Sequence, residues 1–224
     1  MAAADPDSPT APMPVGAVVL VGGRARRMGG AAKHLLAVGG TTPWDRTLGA
    51  LAANGISPVV AVGPAPADGG GPAPAAVTWV REDPPFGGPV AALAAALSDP
   101  VLDDAREFLL LAGDLAHPEA VIARLREADP AAARTAPGGD AEALVFDAAG
   151  RPQWLAGRYG TAAVRAALAA LGETDGASCR ALLGGLPIRW IPDEDGITAD
   201  IDTPDDLERA RAEAAGAERP EESR

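Results

Sequence analysis

The chain of 224 residues has little sulfur chemistry and few aromatics: one cysteine, Cys179, and 4% aromatic side chains. A single cysteine excludes a disulfide framework and any metal site built from several thiolates, and it fits a reducing cytoplasm. Long apolar runs are missing as well. The best of them, Phe108 to Ala112 and Ala91 to Leu97, fall far short of the roughly 20 residues that cross a bilayer. The amino-terminal MAAADPDSPTAPMP has acids and no basic region, so it does not read as a secretory signal. Positive charge is scarce. There are 19 basic against 31 acidic residues, for a net charge of −12, which argues against a protein that coats nucleic acid or an anionic membrane surface. Lysine is rarest of all, because Lys33 is the only one in the chain. Arginine is planar and forked where lysine is a compact point charge, so a surviving lysine suggests a place where an ammonium is needed.

What is present is a globular composition, 47% apolar and 22% charged. One domain is expected over residues 15–211, between a disordered leader at 1–14 and a polar tail at 212–224. Short apolar runs alternate with Ala/Leu-rich helical stretches, the pattern of a three-layer, Rossmann-like α/β fold with an open, mostly parallel sheet covered by helices on both faces. Strands are predicted at Ala17–Val21, Val59–Val62, Val77–Val80, Phe108–Leu111, Ala131–Thr135, Ala143–Phe146 and Ile188–Ile191. Helices are predicted at Trp44–Ala53, Val90–Leu97, Pro118–Ala128, Thr161–Leu171, Ser178–Leu183 and Pro204–Ala215.

In such a sheet ligands gather beyond the carboxyl ends of the strands. The first strand runs straight into Gly22-Gly23-Arg24-Ala25-Arg26-Arg27-Met28-Gly29-Gly30-Ala31-Ala32-Lys33. Glycines let main-chain N–H groups approach phosphate oxygens, and Arg24, Arg26, Arg27 and Lys33 locally reverse the sign of an acidic chain. The turn matches neither GxxxxGK[ST] nor GxGxxG.

Three acidic segments accompany it. Phe108-Leu-Leu-Leu-Ala-Gly113-Asp114 ends an apolar strand in a carboxylate, which makes Asp114 a candidate metal ligand; the same residue type also serves as a turn or helix-cap residue. Arg81-Glu82-Asp83-Pro84-Pro85-Phe86-Gly87-Gly88-Pro89 leads into a helix that Pro89 would start in any case. In Ile197-Thr-Ala-Asp200-Ile201-Asp202-Thr203-Pro204-Asp205-Asp206, capping explains Thr203 to Asp206 but not Asp200 and Asp202. Two apart in an extended segment, these two point to one side.

Taken together, Leu20-Val21-Gly22-Gly23, Arg27-Met28-Gly29, Lys33-His34-Leu35-Leu36, Gly113-Asp114, Gly88-Pro89 and Asp202-Thr203-Pro204 resemble the signature of the nucleotidyltransferase superfamily, and within it the MobA-type molybdenum cofactor guanylyltransferases. The chain departs at Val21, Ala32 and His34, where the family usually has Ala, Asp and Gly. It also departs at Leu115-Ala116-His117, where T-P or M-P usually follows the acid. The resemblance implies a fold of the nucleotide-diphospho-sugar transferase type and transfer of GMP from GTP to a phosphate-bearing acceptor, molybdopterin carrying molybdenum. Cytidylyl or sugar-phosphate transfer is the alternative within the superfamily, and non-catalytic nucleotide binding the alternative outside it. It implies Mg²⁺ on Asp114 together with Asp200 or Asp202, catalytic roles for Lys33, Arg27 and Asp114, and nucleotide contacts from Leu20, Val21, Gly22, Gly23, Lys33, Asp83 and Asp114. Arg151 or Arg158 is expected to meet the acceptor's phosphate, and molybdoenzymes or their chaperones are the expected recipients of the product. His117 is expected to be a solvated turn residue, Cys179 a small buried one, and Trp44, Trp79 and Trp190 residues of the core or its rim.

Overall fold

A computed structural model describes residues 14–22, 33–65, 77–128 and 141–217. The strand expected at Ala131–Thr135 and most of the glycine-rich turn lie outside them. Among the described residues seven strands form one sheet: β1 (Val15–Leu20), β2 (Val59–Val62), β3 (Val77–Val80), β4 (Glu107–Ala112), β5 (Ala143–Ala148), β6 (Arg151–Gly160) and β7 (Ile188–Pro192), in the order β3-β2-β1-β4-β6-β5-β7. The pairs β1–β2, β1–β4, β2–β3 and β5–β7 are parallel; β6 runs antiparallel to both of its neighbours. Strands β1 and β2 are buried along their whole length, which is why they read as unbroken Val/Ala/Leu runs and not as alternating ones.

Helices cover both faces. On one side Trp44, Leu48 and Leu51 of α1 (Pro43–Ala53) and Val121, Ile122 and Leu125 of α3 (Pro118–Glu127) pack on Val19, Ala61 and Leu111. On the other, Val90, Leu93 and Leu97 of α2 (Pro89–Leu97), Val164 of α4 (Thr161–Leu171) and Leu182 and Leu183 of α5 (Cys179–Leu183) pack on Val18, Val60, Leu110 and Val145. A third, small cluster joins Val38, Ala116, Ile201 and, from α6 (Pro204–Ala217), Leu207 and Ala210. No helix among the described residues is long and apolar enough to cross a membrane.

Two elements depart from expectation. Strand β6 has no apolar run to announce it, since Arg151-Pro-Gln-Trp-Leu-Ala-Gly-Arg-Tyr-Gly160 carries two glycines, a proline and charges. It is a strand because β4 and β5 both offer it a ladder, a case of context overriding local preference. Helix α6, expected over Pro204–Ala215, runs to Ala217. Side chains in its second half hold it down: Glu213 Oε2 lies 3.2 Å from His117 Nε2, and Ala214 packs on the third cluster.

Candidate active site

Beyond the carboxyl ends of β1, β2 and β4 the parallel ladder continues by one residue on each strand. Val21 N–H donates to Val62 O at 3.0 Å, Gly63 N–H to Val80 O at 3.0 Å, and Gly113 N–H to Leu20 O at 2.9 Å. This sets Gly63, Val21 and Gly113 abreast, with Gly22 one residue beyond. Val21 is gripped between the two glycines abreast of it: a Cβ on Gly113 would stand 2.8 Å from Val21 Cγ1, and one on Gly63 would stand 2.9 Å from Cγ2. Glycine is required at 113, because Val21 and the Leu20 carbonyl fill the space a side chain would take. The row coincides with the point where strand order reverses, since the chain leaves β1 toward β2 and β3 and returns to β4 on its other side. That is where an open α/β sheet offers a crevice.

The acidic segments converge there by main-chain bonds. Ile201 N–H donates to Asp114 O at 2.9 Å and Ala116 N–H to Ala199 O at 2.8 Å, with an isolated antiparallel bridge between Leu115 and Asp200. Asp114, Asp200 and Asp202 therefore belong to one locked pair of segments, although 85 to 90 positions separate them in the chain. Asp200 is exposed, and Asp114 and Asp202 are half-buried. Asp83 is exposed in the loop that follows β3, at the same end of the sheet. Among the described residues no group of three His, Cys, Asp or Glu side chains could hold a metal unaided.

Lys33 opens a 3-10 turn, Lys33–Leu35, that is anchored by its neighbour. His34 is buried, edge-on to Trp44 with ring centroids 6.3 Å apart, and burial lowers its pKa, so it stays neutral. Its imidazole thus adds no second cation beside Lys33; it ties the turn to α1. Further on, Val38 joins Ala116 and Ile201 in the third cluster, and Arg211 Nε donates to Ala37 O at 3.0 Å. The main chain of the lysine segment is thereby joined to the two acidic segments. Leu20, Val21 and Gly22 lie as described, whereas Gly23 and Arg27 fall outside the described residues.

Supports that no local signal announces surround the site. Arg46 on α1 forks onto Glu119, Nε to Oε1 and Nη2 to Oε2 each at 2.7 Å, and its Nη1 donates to Ala116 O at 2.9 Å. One guanidinium thus holds both the loop after Asp114 and the start of α3. Asp193 accepts from the N–H groups of Ile197 (2.9 Å) and Thr198 (3.1 Å), shaping the return toward Asp200. The Asp193-Glu-Asp-Gly196 turn is the only one of these features a sequence could have suggested. Thr203 and Asp206 form the expected cap. Asp206 Oδ2 accepts from Thr203 N–H (2.9 Å), Thr203 Oγ1 (2.7 Å) and Asp202 N–H (3.2 Å), which hold its carboxyl below the usual range, the threonine hydroxyl contributing most.

The two arginine candidates for the acceptor separate. Arg151 is exposed at the β5–β6 hairpin, at the crevice end of the sheet. Arg158 is not available, because it is buried at the other end, with both Nε and Nη2 directed at Glu107 Oε2. Its place follows from register, since Arg158 pairs with Leu109, near the start of β4. His117 is half-exposed on Glu213, Cys179 is half-buried with its thiol pushed up to about 11 by burial, and Trp44 is core while Trp190 is exposed.

Residues 17–184 match the family described as the MobA-like NTP transferase domain. No curated protein matches. Among solved structures, the Rv0371c homolog from Mycobacterium sp. strain JC1 is 25% identical over 91% of this chain and 98% of its own, with a TM-score of 0.61. Rv0371c of Mycobacterium tuberculosis in complex with manganese is 23% identical over 89% and 98%, TM-score 0.60. Molybdopterin-guanine dinucleotide biosynthesis protein A from Archaeoglobus fulgidus is 20% identical over 90% and 100%, TM-score 0.60.

Proposed function

The chain belongs to the MobA-like NTP transferase domain family, and on that premise we propose that it transfers GMP from GTP to the phosphate of molybdopterin carrying molybdenum, releasing pyrophosphate. The reading is carried by the main-chain union of the Asp114 and Asp200–Asp202 segments beside the row of Gly63, Val21 and Gly113 at the sheet's switch point. An all-oxygen pair of carboxylates suits a hard cation such as Mg²⁺, which completes its shell with substrate phosphates and water. Asp114 with Asp200 or Asp202 would hold it, and the manganese-bound neighbour supports a divalent ion. Bound there, the cation would offset the negative charge of the phosphates.

The chain's own groups account for the rest. In this reading the glycine-rich turn that begins at Gly22-Gly23 binds the triphosphate through main-chain N–H groups, with Leu20 and Val21 among the nucleotide contacts. Lys33 and Arg27 supply positive charge for the oxygens that gain it during transfer, and Asp83 meets the nucleotide from the β3 end. An oxygen of the acceptor phosphate attacks the α-phosphorus of GTP. As that P–O bond forms, the α–β bridging bond breaks, and its electron pair leaves with pyrophosphate. An ionised phosphate needs no general base, so the protein's contribution is placement and charge.

The test is pyrophosphate release by the purified protein with Mg²⁺, GTP and molybdopterin, compared with CTP and with hexose 1-phosphates as acceptors. GTP with molybdopterin should dominate. Equal or better turnover of CTP would remove the guanylyl assignment, and better turnover of a sugar phosphate would remove the acceptor. Nucleotide binding without turnover of any pair would make the protein a binder and not an enzyme.

A further inference from the structure

We infer that α6 is the brace that holds the segments of the candidate site against one another, with Leu207 and Arg211 as positioning residues. The inference rests on the transferase reading for what those segments bind, and adds the element that assembles them.

The small third cluster takes one buried residue from each segment. Val38 follows Lys33 by five positions and is 1% exposed, Ala116 follows Asp114 by two, and Ile201, fully buried, stands between Asp200 and Asp202. Leu36 packs on the cluster from the lysine side. The remaining members, Leu207 and Ala210, come from α6, with Ala214 partly buried beside them, at the i, i+3, i+7 spacing of one helix face. This cluster is distinct from the two that pack helices on the sheet, so its burial holds the connecting segments and not the strands.

Polar contacts repeat the pattern along the same helix. At its start Asp206 Oδ2 accepts from Asp202 N–H at 3.2 Å. Arg211, on the face of Leu207, donates from Nε to Ala37 O at 3.0 Å, while its Nη1 donates to Glu208 Oε1 at 2.8 Å and so is steadied from its own helix. Glu213 Oε2 meets Nε2 of His117, the neighbour of Ala116, at 3.2 Å. Ala214 crowds the turn after Val38: a Cβ on Gly39, where φ is +60°, would stand 2.8 Å from the Ala214 Cβ. Each of the three segments is thus held twice by α6, once through an apolar residue and once through a polar contact. Arg211 and Glu213 are exposed, where such contacts add little to stability, so their effect belongs to where the segments lie.

The test combines amide hydrogen exchange with calorimetric titration of Mg²⁺–GTP into the full chain and into Leu207→Ala, Leu207→Met and Arg211→Met. Bracing predicts that Leu207→Ala speeds exchange at residues 36–41, 115–117 and 199–203 while β1, β2 and β4 stay protected. Mg²⁺–GTP affinity should fall about tenfold in Leu207→Ala and about threefold in Arg211→Met, with Leu207→Met within about twofold of the parent. Leu125→Ala, a cavity in the core under α3, should lower stability at least as much and leave GTP affinity unchanged. Because Arg211 acts through the lysine segment, Arg211→Met should weaken binding far less where Lys33 is already Ala. GTP affinity that ignores Leu207→Ala and Arg211→Met, additive losses in the Lys33 double variant, or uniformly faster exchange in every strand would overturn the brace. A parent chain that binds no Mg²⁺–GTP would instead strike at the transferase reading, while exchange would still read the hold of α6 on the three segments.

Discussion

Ile201 gives its main-chain N–H to the carbonyl oxygen of Asp114 at 2.9 Å. Through that bond the acid at the end of β4 and the acids before α6 become parts of one rigid edge.

Replacing Asp114 by Asn keeps its volume and its carbonyl bond to Ile201 but removes the charge. Cation-dependent turnover should fall by about a hundredfold or more with unfolding unchanged. Lys33→Arg should fail to restore what Lys33→Ala loses, because a planar fork does not replace a point charge on phosphate. Steady-state rates with circular dichroism as the control for fold decide both.

Gly113→Ala drives a methyl group to 2.8 Å from Val21 Cγ1 and 3.1 Å from Leu20 O. Overpacking should cost about 1–3 kcal/mol and lower turnover, since Asp114 is the next residue. Adding Val21→Ala removes the methyl but not the backbone contact, so stability should return in part. Chemical denaturation of the single and double variants measures this.

Arg46→Met leaves Glu119 and the Ala116 carbonyl without their donor. Because the pair is partly exposed, the stability cost should be below about 1 kcal/mol. The cation concentration needed for half-maximal rate should rise about tenfold, as expected when a support behind a metal site is lost. Arg46→Lys should rescue poorly, as it cannot fork onto both carboxylate oxygens.

The Asp206 carboxyl is held below its ordinary value of 3.8, chiefly by the Thr203 hydroxyl. A lowered folded-state value means a stabilisation fully present above the ordinary value and lost as pH falls through the lower one. Asp206→Asn should therefore destabilise the protein at neutral pH, and the gap from the parent should close as acid is added below pH 4 or so. Unfolding free energies measured from pH 7 to pH 2.5 follow it.

Much of this was legible in the chain. Val15–Leu20, Val59–Val62 and Glu107–Ala112 are buried on both faces, so their runs are unambiguous, and a glycine or an acid after each marks the ligand end. Strand β6 was not legible, because its glycines and arginine make sense only once Tyr159 and Glu107 are in place beside them. Arg158 looked like Arg151 until register put the two at opposite ends of one strand.

The sequence by itself determined the kind of fold, its caps and the residues offered to a ligand, because burial period, glycine and proline act within a few positions of themselves. Only the tertiary structure decided which of those residues meet. Strand order, the clasp between Asp114 and Ile201, the reach of Arg46 to Glu119 and that of Arg211 to Ala37 all join groups far apart in the chain. Such contacts arise from the packing of whole elements, and no short stretch of residues encodes them.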